Sequence, residues 1–547
     1  MSFHLFIKLK HDVKDESEIK LAEMELKGLS TLDFKPIKNA ADLLSISPFV
    51  DLLGCRFQDW LLRLPYLGNI HGFYTVTSEI PEINFLVRRL AYFKEVYLVW
   101  SNIDEQRVLE VLGLNKAPSG ERVQINDITL LFRSGNSRAL RFLCHQWIME
   151  CSYYAATLKD GIEDNLRKLL FHLNWGVHRN PSLGAKGFIE DYVDGHSVGK
   201  SAESKYFTHG IHPYHGKFFA RLVRSLINYM GLNGRSKILD PFCGSGTTML
   251  EASLLGIPSC GIDINPLACA ISRAKIAALK LDLEELKEGF SKVMARFKKK
   301  KYGQLLIVED PEDLRPWTSE EVSTVCLSAS LEGRGRVRRP RNEVKAFKVE
   351  FDRLIKQITV FKLLREILKI ELGEVEVLKG DVRELNINER FDALITSPPY
   401  ITTVNYVKEH ENSMLNLGLT DKNELQELMV KTIGIPGKMG ITNVSEDFRD
   451  LLVDLPVNSR RMVALYISEI YDAFSSIKEY LKENAKFAVV IGKDHRVSGH
   501  KIPTSKIVRN VLSKLDFKIE KSITLKFPGL SVFRRVDWTE EVFIGRV

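Results

Sequence analysis

The chain has 547 residues, enough for three or four structural units at roughly 150 residues each. With 44% hydrophobic and 27% charged residues it has ordinary globular usage, which excludes disordered, collagenous and disulfide-scaffold classes. Lys and Arg number 78 against 70 Asp and Glu, a formal charge of +8 that admits a polyanionic partner without demanding one. No stretch approaches the roughly 18 apolar residues of a membrane span. The opening MSFHLFIKLKHDVKDESE meets charge too early for a secretory signal, so a cytoplasmic location without a membrane partner is expected. The seven cysteines show neither C-x-x-C nor a Cys/His cluster at zinc-ligand spacing, and no metal site is expected.

In chain order, HLFIKLK, FYTVTSEI and KEVYLVW read as strands and EIKLAEMELKGL and INFLVRRLAYF as amphipathic helices, giving an α+β domain over residues 1–135. Residues 136–204 read as a connector. Helical periodicity runs through RALRFLCHQWIMECSYYAATL and IEDNLRKLLFHLNW, and a linker marked by Gly and Asn-Pro follows from Gly176 to about Lys205. From Ser236 the pattern becomes strand, glycine turn and helix in SKILDPFCGSGTTMLEASLLG, then strand and helix again in PSCGIDIN and PLACAISRAKIAALK, the pattern of a parallel sheet. EVEVLKGD, FDALITS, KFAVVIGK and EEVFIGR continue it, so 205–547 is expected to be one domain. Insertions are expected at about 283–359 and 402–462. The first is charged and helix-rich and carries RGRVRRPR from Arg334 to Arg341, either a solvated loop or a phosphate-contacting arm. KFPGLSVFRRVDW reads as a hairpin at the sheet edge or, through two arginines beside aromatics, as a contact to phosphate or base.

Chemistry concentrates at the strand ends. Asp240-Pro-Phe-Cys-Gly-Ser-Gly-Thr-Thr248 closes a strand and opens a helix. Gly244 and Gly246 let backbone approach a ligand closely, and Met249 leaves the G-x-G-x-x-G dinucleotide fingerprint incomplete. Asp263 ends the next strand, where a carboxylate bonds a ribose diol, so the pair argues for a nucleoside ligand. Asp381, in Lys379-Gly-Asp-Val-Arg, is either a turn residue or an acceptor for an adenine amino group. Thr396-Ser-Pro-Pro-Tyr400 follows the apolar strand FDALI. It is either a proline-stiffened loop or a site for an exocyclic amine. In the second case Ser397 and a backbone carbonyl accept the two N–H bonds, the nitrogen moves toward sp³, and Tyr400 stacks on the extruded base.

Taken in order, DPFCGSGTT, the acidic second strand end and TSPPY resemble the S-adenosylmethionine-dependent amino-methyltransferases of nucleic acids, of the N4-cytosine/N6-adenine DNA type and related to the tRNA guanine-N2 enzymes. The resemblance spans about 205–547. It implies an α/β fold with a Rossmann-like class I methyltransferase sheet, mostly parallel with helices on both faces, and S-adenosyl-L-methionine as cofactor. It further implies cofactor binding by Asp240, Phe242, Gly244, Gly246, Thr247 and Asp263, with Asp381 at the adenine, and a catalytic turn of Ser397, Pro398, Pro399 and Tyr400.

Upstream, Thr208-His-Gly-Ile-His-Pro-Tyr-His-Gly-Lys-Phe-Phe219 resembles the Y-x-x-K-F segment that lines the methionine end of the cofactor in DNA enzymes, which adds Tyr214 and Lys217. Its His209, His212 and His215 lack the further ligands that a metal needs. Serine at the head of the tetrad is typical of cytosine-N4 enzymes, and the lack of any Pro-Cys pair removes cytosine-C5 chemistry.

The N-terminal FHLFIKLKHDV and EIKLAEMELKGL resemble the ferredoxin-like module of tRNA guanine-N2 methyltransferases. The tetrad there reads Asp-Pro-Pro-Tyr before Gly, whereas here Ser397 and Ile401 stand at those places. The expected function is DNA cytosine-N4 methylation, with adenine N6 next. A tRNA guanine-N2 methyltransferase is the alternative, followed by a catalytically idle nucleic-acid-binding protein. The implied partner is nucleic acid, DNA ahead of tRNA, and a cognate restriction endonuclease is compatible with the reading.

Overall fold

A computed structural model describes residues 2–10, 13, 15–37, 42–43, 45–47, 49–55, 72–157, 161–175, 205–214, 216–299, 316–332, 342–384, 387–401, 406–435, 448–453, 455–497, 499–527 and 538–547. The chain divides into two compact units: residues 1–207 with 224–231 and 359–370, and residues 208–223, 232–358 and 371–547.

The first unit is built on seven strands: β1 (Phe3–Leu9), β2 (Lys35–Ile37), β3 (Gly72–Thr77), β4 (Phe93–Ser101), β5 (Arg122–Asn126), β6 (Thr129–Ser134) and β7 (Ser137–Leu143). Their order is β2-β3-β1-β4-β7-β6-β5, and every neighbouring pair is antiparallel. The expected helices appear at Glu16–Leu29 and Ile83–Arg89.

One expectation is corrected. Residues 137–143, read as the start of a helical connector, form β7, which is bonded to β4 on one side and β6 on the other. The run ALRFL suits either period. The tight turn Gly135-Asn136, with Gly135 at φ +52°, closes Ser134 against Ser137 and decides for the hairpin. The α+β unit therefore runs past 135, and the helices His145–Ala155 and Ile162–Trp175 belong to it.

Charge is paired off inside this unit. Arg141 Nη2 lies 2.6 Å from Glu95 Oε1, Lys8 Nζ lies 3.5 Å from Glu95 Oε2, and Lys10 Nζ lies 2.9 Å from Glu150. Asn228, from the recruited segment 224–231, donates to Glu25 and to the Arg89 carbonyl and accepts from Arg89 Nε at 2.7 Å.

The second unit carries β8 (Ile238–Asp240), β9 (Ser259–Asp263), β10 (Val375–Lys379), β11 (Phe391–Thr396), β12 (Leu481–Gly492), a small hairpin of β13 (His495–Val497) and β14 (His500–Ile502), then β15 (Lys518–Phe527) and β16 (Trp538–Arg546). Its main sheet runs β10-β9-β8-β11-β12-β16-β15. The first five strands are parallel, and β16 runs against both of its neighbours. This is the mostly parallel Rossmann-like sheet expected from the sequence. The strand β15 had no sequence expectation and pairs with β16 at the sheet edge; the run KFPGLSVFRRVDW, read as a hairpin, falls mainly on residues 528–537, which lie outside the described residues.

On one face, Leu239, Ile262, Leu394 and the alternating Phe487, Val489 and Ile491 pack with Ile470 and Phe474 of the helix Val457–Glu479 and Val508 and Val511 of the helix Thr504–Lys514. The other face takes the helices Thr247–Leu254 and Pro266–Lys280. Gly261 shows why: a Cβ there would lie 2.9 Å from both Cys243 Cβ and Met249 Sδ, so only glycine lets this turn and helix lie close on the sheet.

The first insertion is helical, with helices Leu283–Lys299, Ser319–Glu332 and Glu343–Leu368, the last running beyond the expected end at 359. The Arg334–Arg341 run lies outside the described residues. The second holds the helices Tyr406–Glu409, Glu411–Asn416, Lys422–Lys431 and Arg449–Leu452. No helix among the described residues is long and apolar enough to cross a membrane.

Candidate active site

Strand order reverses between β8 and β11. The crossovers leave these neighbours in opposite directions and open a crevice at the strands' carboxyl ends, the place where ligands bind in open α/β sheets. Four strand ends deliver residues to it: Phe242 and Gly244 after β8, Asp263 and Asn265 at β9, Asp381 and Arg383 after β10, and Ser397 to Tyr400 after β11. They line one cavity of about 460 Å³, closed by Tyr214, Lys217 and Phe218 from before the sheet and by Glu540 at the start of β16.

On the glycine-turn side, Gly244 stands at φ +50° and its N–H donates to Asp263 Oδ2 at 2.9 Å. Asp263 Oδ1 accepts from Asn265 N at 2.8 Å, and the Asn265 side chain caps the next helix by accepting from Leu267 N at 2.9 Å. Burial pushes the Asp263 carboxyl up to about 6. The carbonyl of Gly244 is held from behind by Ser272 Oγ at 2.9 Å, and that of Ser245 by Nζ of the buried Lys275.

Three expected cofactor residues do not line the cavity. Gly246, at φ +74°, is needed because a Cβ there would run into Ser272, so its role is to let the turn close against the following helix. Thr247 is buried in the first turn of the helix. Asp240 is walled in at 1% exposure; its carboxylate accepts from Thr248 Oγ1 at 2.6 Å, Thr396 Oγ1 at 2.7 Å and Phe242 N at 3.2 Å, and burial pushes it up to about 6. Sequence places these residues at the right strand end but cannot separate the layer that touches a ligand from the layer behind it.

Asp381 does face the cavity. Burial alone would raise its carboxyl, but Arg383, donating from Nε at 2.9 Å and from its own N–H at 3.0 Å, holds it below the usual range, so it stays an acceptor. Tyr214 stacks on His410 with ring centroids 4.9 Å apart, and Lys217 donates to the His209 carbonyl at 2.6 Å. The histidines beside them are structural. His209 bonds Glu251 at 2.8 Å, His212 bonds Ser328 at 3.1 Å, and burial lowers both imidazoles to about 4. His215 lies outside the described residues, among which no group of three or more metal-ligating side chains is found.

In the second turn, Ser397 Oγ lies 3.3 Å from the Tyr400 hydroxyl, which donates to Glu540 Oε1 at 3.2 Å. The buried Tyr466 donates to the Pro399 carbonyl at 3.0 Å, while no described residue donates to the Pro398 carbonyl. A hydroxyl and one carbonyl thus stand as acceptors beside a cavity wall. Sequence reasoning missed Glu540 and the Arg383 clamp. The clamp had a signal in its i+2 spacing from Asp381, whereas Glu540 comes from a strand whose place in the sheet no local motif announces.

The residues present fit S-adenosylmethionine. A positive-φ glycine turn opens on the cavity, a carboxylate ends the second strand without a cationic partner among the described residues, and a second carboxylate faces the same space.

Comparisons with known proteins agree. A family model described as DNA methylase matches residues 189–274. Type II methyltransferase M.MjaII from Methanocaldococcus jannaschii is 36% identical over 129 residues, 24% of this chain and 23% of that protein, so the match spans less than a quarter of this relative. Type II methyltransferase M.BsoBI from Geobacillus stearothermophilus is 24% identical over 404 residues, covering 57% of this chain and 79% of that protein. A tRNA (guanine(10)-N2)-dimethyltransferase from Methanothermobacter thermautotrophicus is 40% identical over 52 residues, 10% of this chain and 16% of its own. By motifs, strand order and these matches together, the chain resembles the S-adenosylmethionine-dependent amino-methyltransferases of the N4-cytosine/N6-adenine type, and S-adenosylmethionine is its cofactor.

Proposed function

We propose that the protein methylates an exocyclic amino group of a DNA base, cytosine N4 ahead of adenine N6. The observation that carries this reading is that the glycine turn with Asp263 and the Ser397–Tyr400 turn open into one cavity, so a methyl donor and an amine can meet there. DNA is favoured because the family model that matches residues 189–274 is described as DNA methylase. Serine at position 397 favours cytosine through the family resemblance.

When bound, S-adenosylmethionine supplies an electrophilic methyl on a sulfonium. Gly244 and Asp263 would hold its nucleoside portion, and the ionised Asp381 would be an acceptor for its adenine amino group. In the second turn, Ser397 Oγ and the Pro398 carbonyl accept the two N–H bonds of the target amine. The nitrogen lone pair is thereby drawn out of the ring and aimed at the methyl, while the Tyr400 ring supports the extruded base. The amine would take the methyl, leaving the donor as a neutral thioether, and its extra proton would pass to solvent. The prolines fix the turn before substrate arrives, so little ordering remains for the moment of reaction.

A second reading, tRNA guanine-N2 methylation, rests on the 52-residue match to the tRNA enzyme. A partner restriction endonuclease is compatible with the first reading alone. Labelled S-adenosylmethionine offered to unmethylated DNA and to unmodified tRNA, with nucleoside products identified by mass spectrometry, tests both. N4-methyl-deoxycytidine from DNA is the expected product. N2-methylguanosine from tRNA alone would replace the proposal by the second reading.

A further inference from the structure

We propose that Asp240 is a positioning residue: one walled-in carboxylate ties the Ser397–Tyr400 turn to the glycine turn and so sets the spacing between amine and methyl donor. The backbone ladder between β8 and β11 pairs Ala393 with Ile238 and Leu394 with Leu239, and stops there. Beyond it no backbone pair between the two strands is found among the described residues. The link there is a side chain, with Asp240 Oδ1 accepting from Thr396 Oγ1 at 2.7 Å. Thr396 is the last residue of β11 and immediately precedes Ser397.

The same carboxylate reaches the other way. Its Oδ2 accepts from Thr248 Oγ1 at 2.6 Å, on the helix that follows the glycine turn, and its Oδ1 also accepts from the N–H of Phe242 within the turn at 3.2 Å. Asp240 is 1% exposed and Thr248 and Thr396 are both at 0%, and Asp240 does not line the cavity, so it touches neither ligand directly. Its partners are two hydroxyls and an N–H. These are directional bonds that fix distance, whereas an ion pair would fix mainly charge. In-line transfer is sensitive to placement, and a misplacement of about 1 Å costs on the order of 100-fold in rate. A bond that holds two turns together where the backbone pairing has ended acts at that scale.

Thr396→Val deletes this link while keeping the side chain's shape. The expected result is a kcat lowered about 10- to 100-fold, by the placement argument, with the S-adenosylmethionine Kd from calorimetry within about twofold of the wild type. Thr396→Ser restores the hydroxyl and is expected to recover most of the rate. Thr248→Val, which cuts the opposite arm, raises the cofactor Kd by up to about tenfold, the scale of one hydrogen bond to a charged group. The proposal is overturned if Thr396→Val keeps the wild-type kcat. It is equally overturned if Thr396→Ser, melting as the wild type does, turns over no faster than Thr396→Val, or if Thr396→Val weakens cofactor binding as much as it lowers kcat. Should Thr396→Val fail to fold, the Ser variant alone decides, because near-wild-type kcat with the hydroxyl present is then required. The inference rests on the proposed methyl transfer. A wild type that methylates no nucleic acid refutes that reading, whereas an active wild type with an equally active Thr396→Val refutes only the role of Asp240.

Discussion

Inside the antiparallel sheet, Glu95 lies between Arg141 and Lys8; at the ends of β8 and β9, Asp240 and Asp263 meet only hydroxyls and backbone N–H groups among the described residues. Burial by itself would raise all three carboxyls. In Glu95 the charges of Arg141 and Lys8 overcome it and hold the group well below the usual carboxylate range, whereas Asp240 and Asp263 are left at about 6. In the first unit Glu95 is neutralised by its ion pairs, whereas Glu25, met by Asn228 and the N–H groups of Ala91 and Tyr92, is pushed up by burial to about 7 with no ligand cavity beside it among the described residues. The second leaves its strand-end acids without a cation, and one of them opens onto a cavity meant for a ligand that carries positive charge. A raised carboxyl alone does not single out the site, since Glu25, Asp240 and Asp263 all share it; what distinguishes Asp263 is that it also lines the cavity.

The contrast breaks most visibly at Glu95. Glu95→Gln leaves Arg141 buried without its counter-charge and is expected to cost about 3–5 kcal/mol of stability, read from denaturant midpoints, with cofactor affinity unchanged. A loss under about 1 kcal/mol would show that the buried pair is not what holds that interior. At the site, Ser397→Ala is expected to lower kcat on the order of 100-fold, the scale for loss of one preorganised polar group, while melting temperature and cofactor Kd stay at wild-type values. Asp263→Asn should raise the cofactor Kd by about tenfold, the scale of a hydrogen bond to a charged group, with kcat at saturation little changed. An unchanged Kd would remove Asp263 from the cofactor's reach.

The smallest effect concerns pH. Burial lowers His209 to about 4 against an ordinary 6.5, with Glu251 pulling the other way. Its neutral form therefore contributes stability that is present above about 6.5 and is lost as pH falls through about 4. Glutamine takes up no proton there. The gap in melting temperature between wild type and His209→Gln should therefore narrow from pH 7 to pH 4, and a constant gap would show that the imidazole is not held neutral.

Much of the second unit was legible because its signals are local. Glycine turns, strand-end acids and Ser-Pro-Pro-Tyr each sit within a few residues of the strand that presents them. What the sequence hid was non-local. The run ALRFL fits a helix or a strand until the turn at Gly135-Asn136 pairs it with β6. Glu540 reaches the cavity only because β16 inserts beside β12, and Asp240 sits behind the cavity wall rather than in it because Thr396, 156 positions away, meets its carboxylate.

The recruitment of residues 224–231 and 359–370 by the first unit bears on how the protein is made. Asn228 satisfies Glu25 and Arg89, and Phe361 packs edge-on against Phe207 at 5.0 Å, so the first 207 residues emerge from the ribosome without these partners and wait for more than 150 further residues before the last of them arrives. An excised fragment ending at 207 would carry two buried ionisable side chains stripped of their amide partner. A genetic dissection of this protein should therefore use point substitutions rather than truncation.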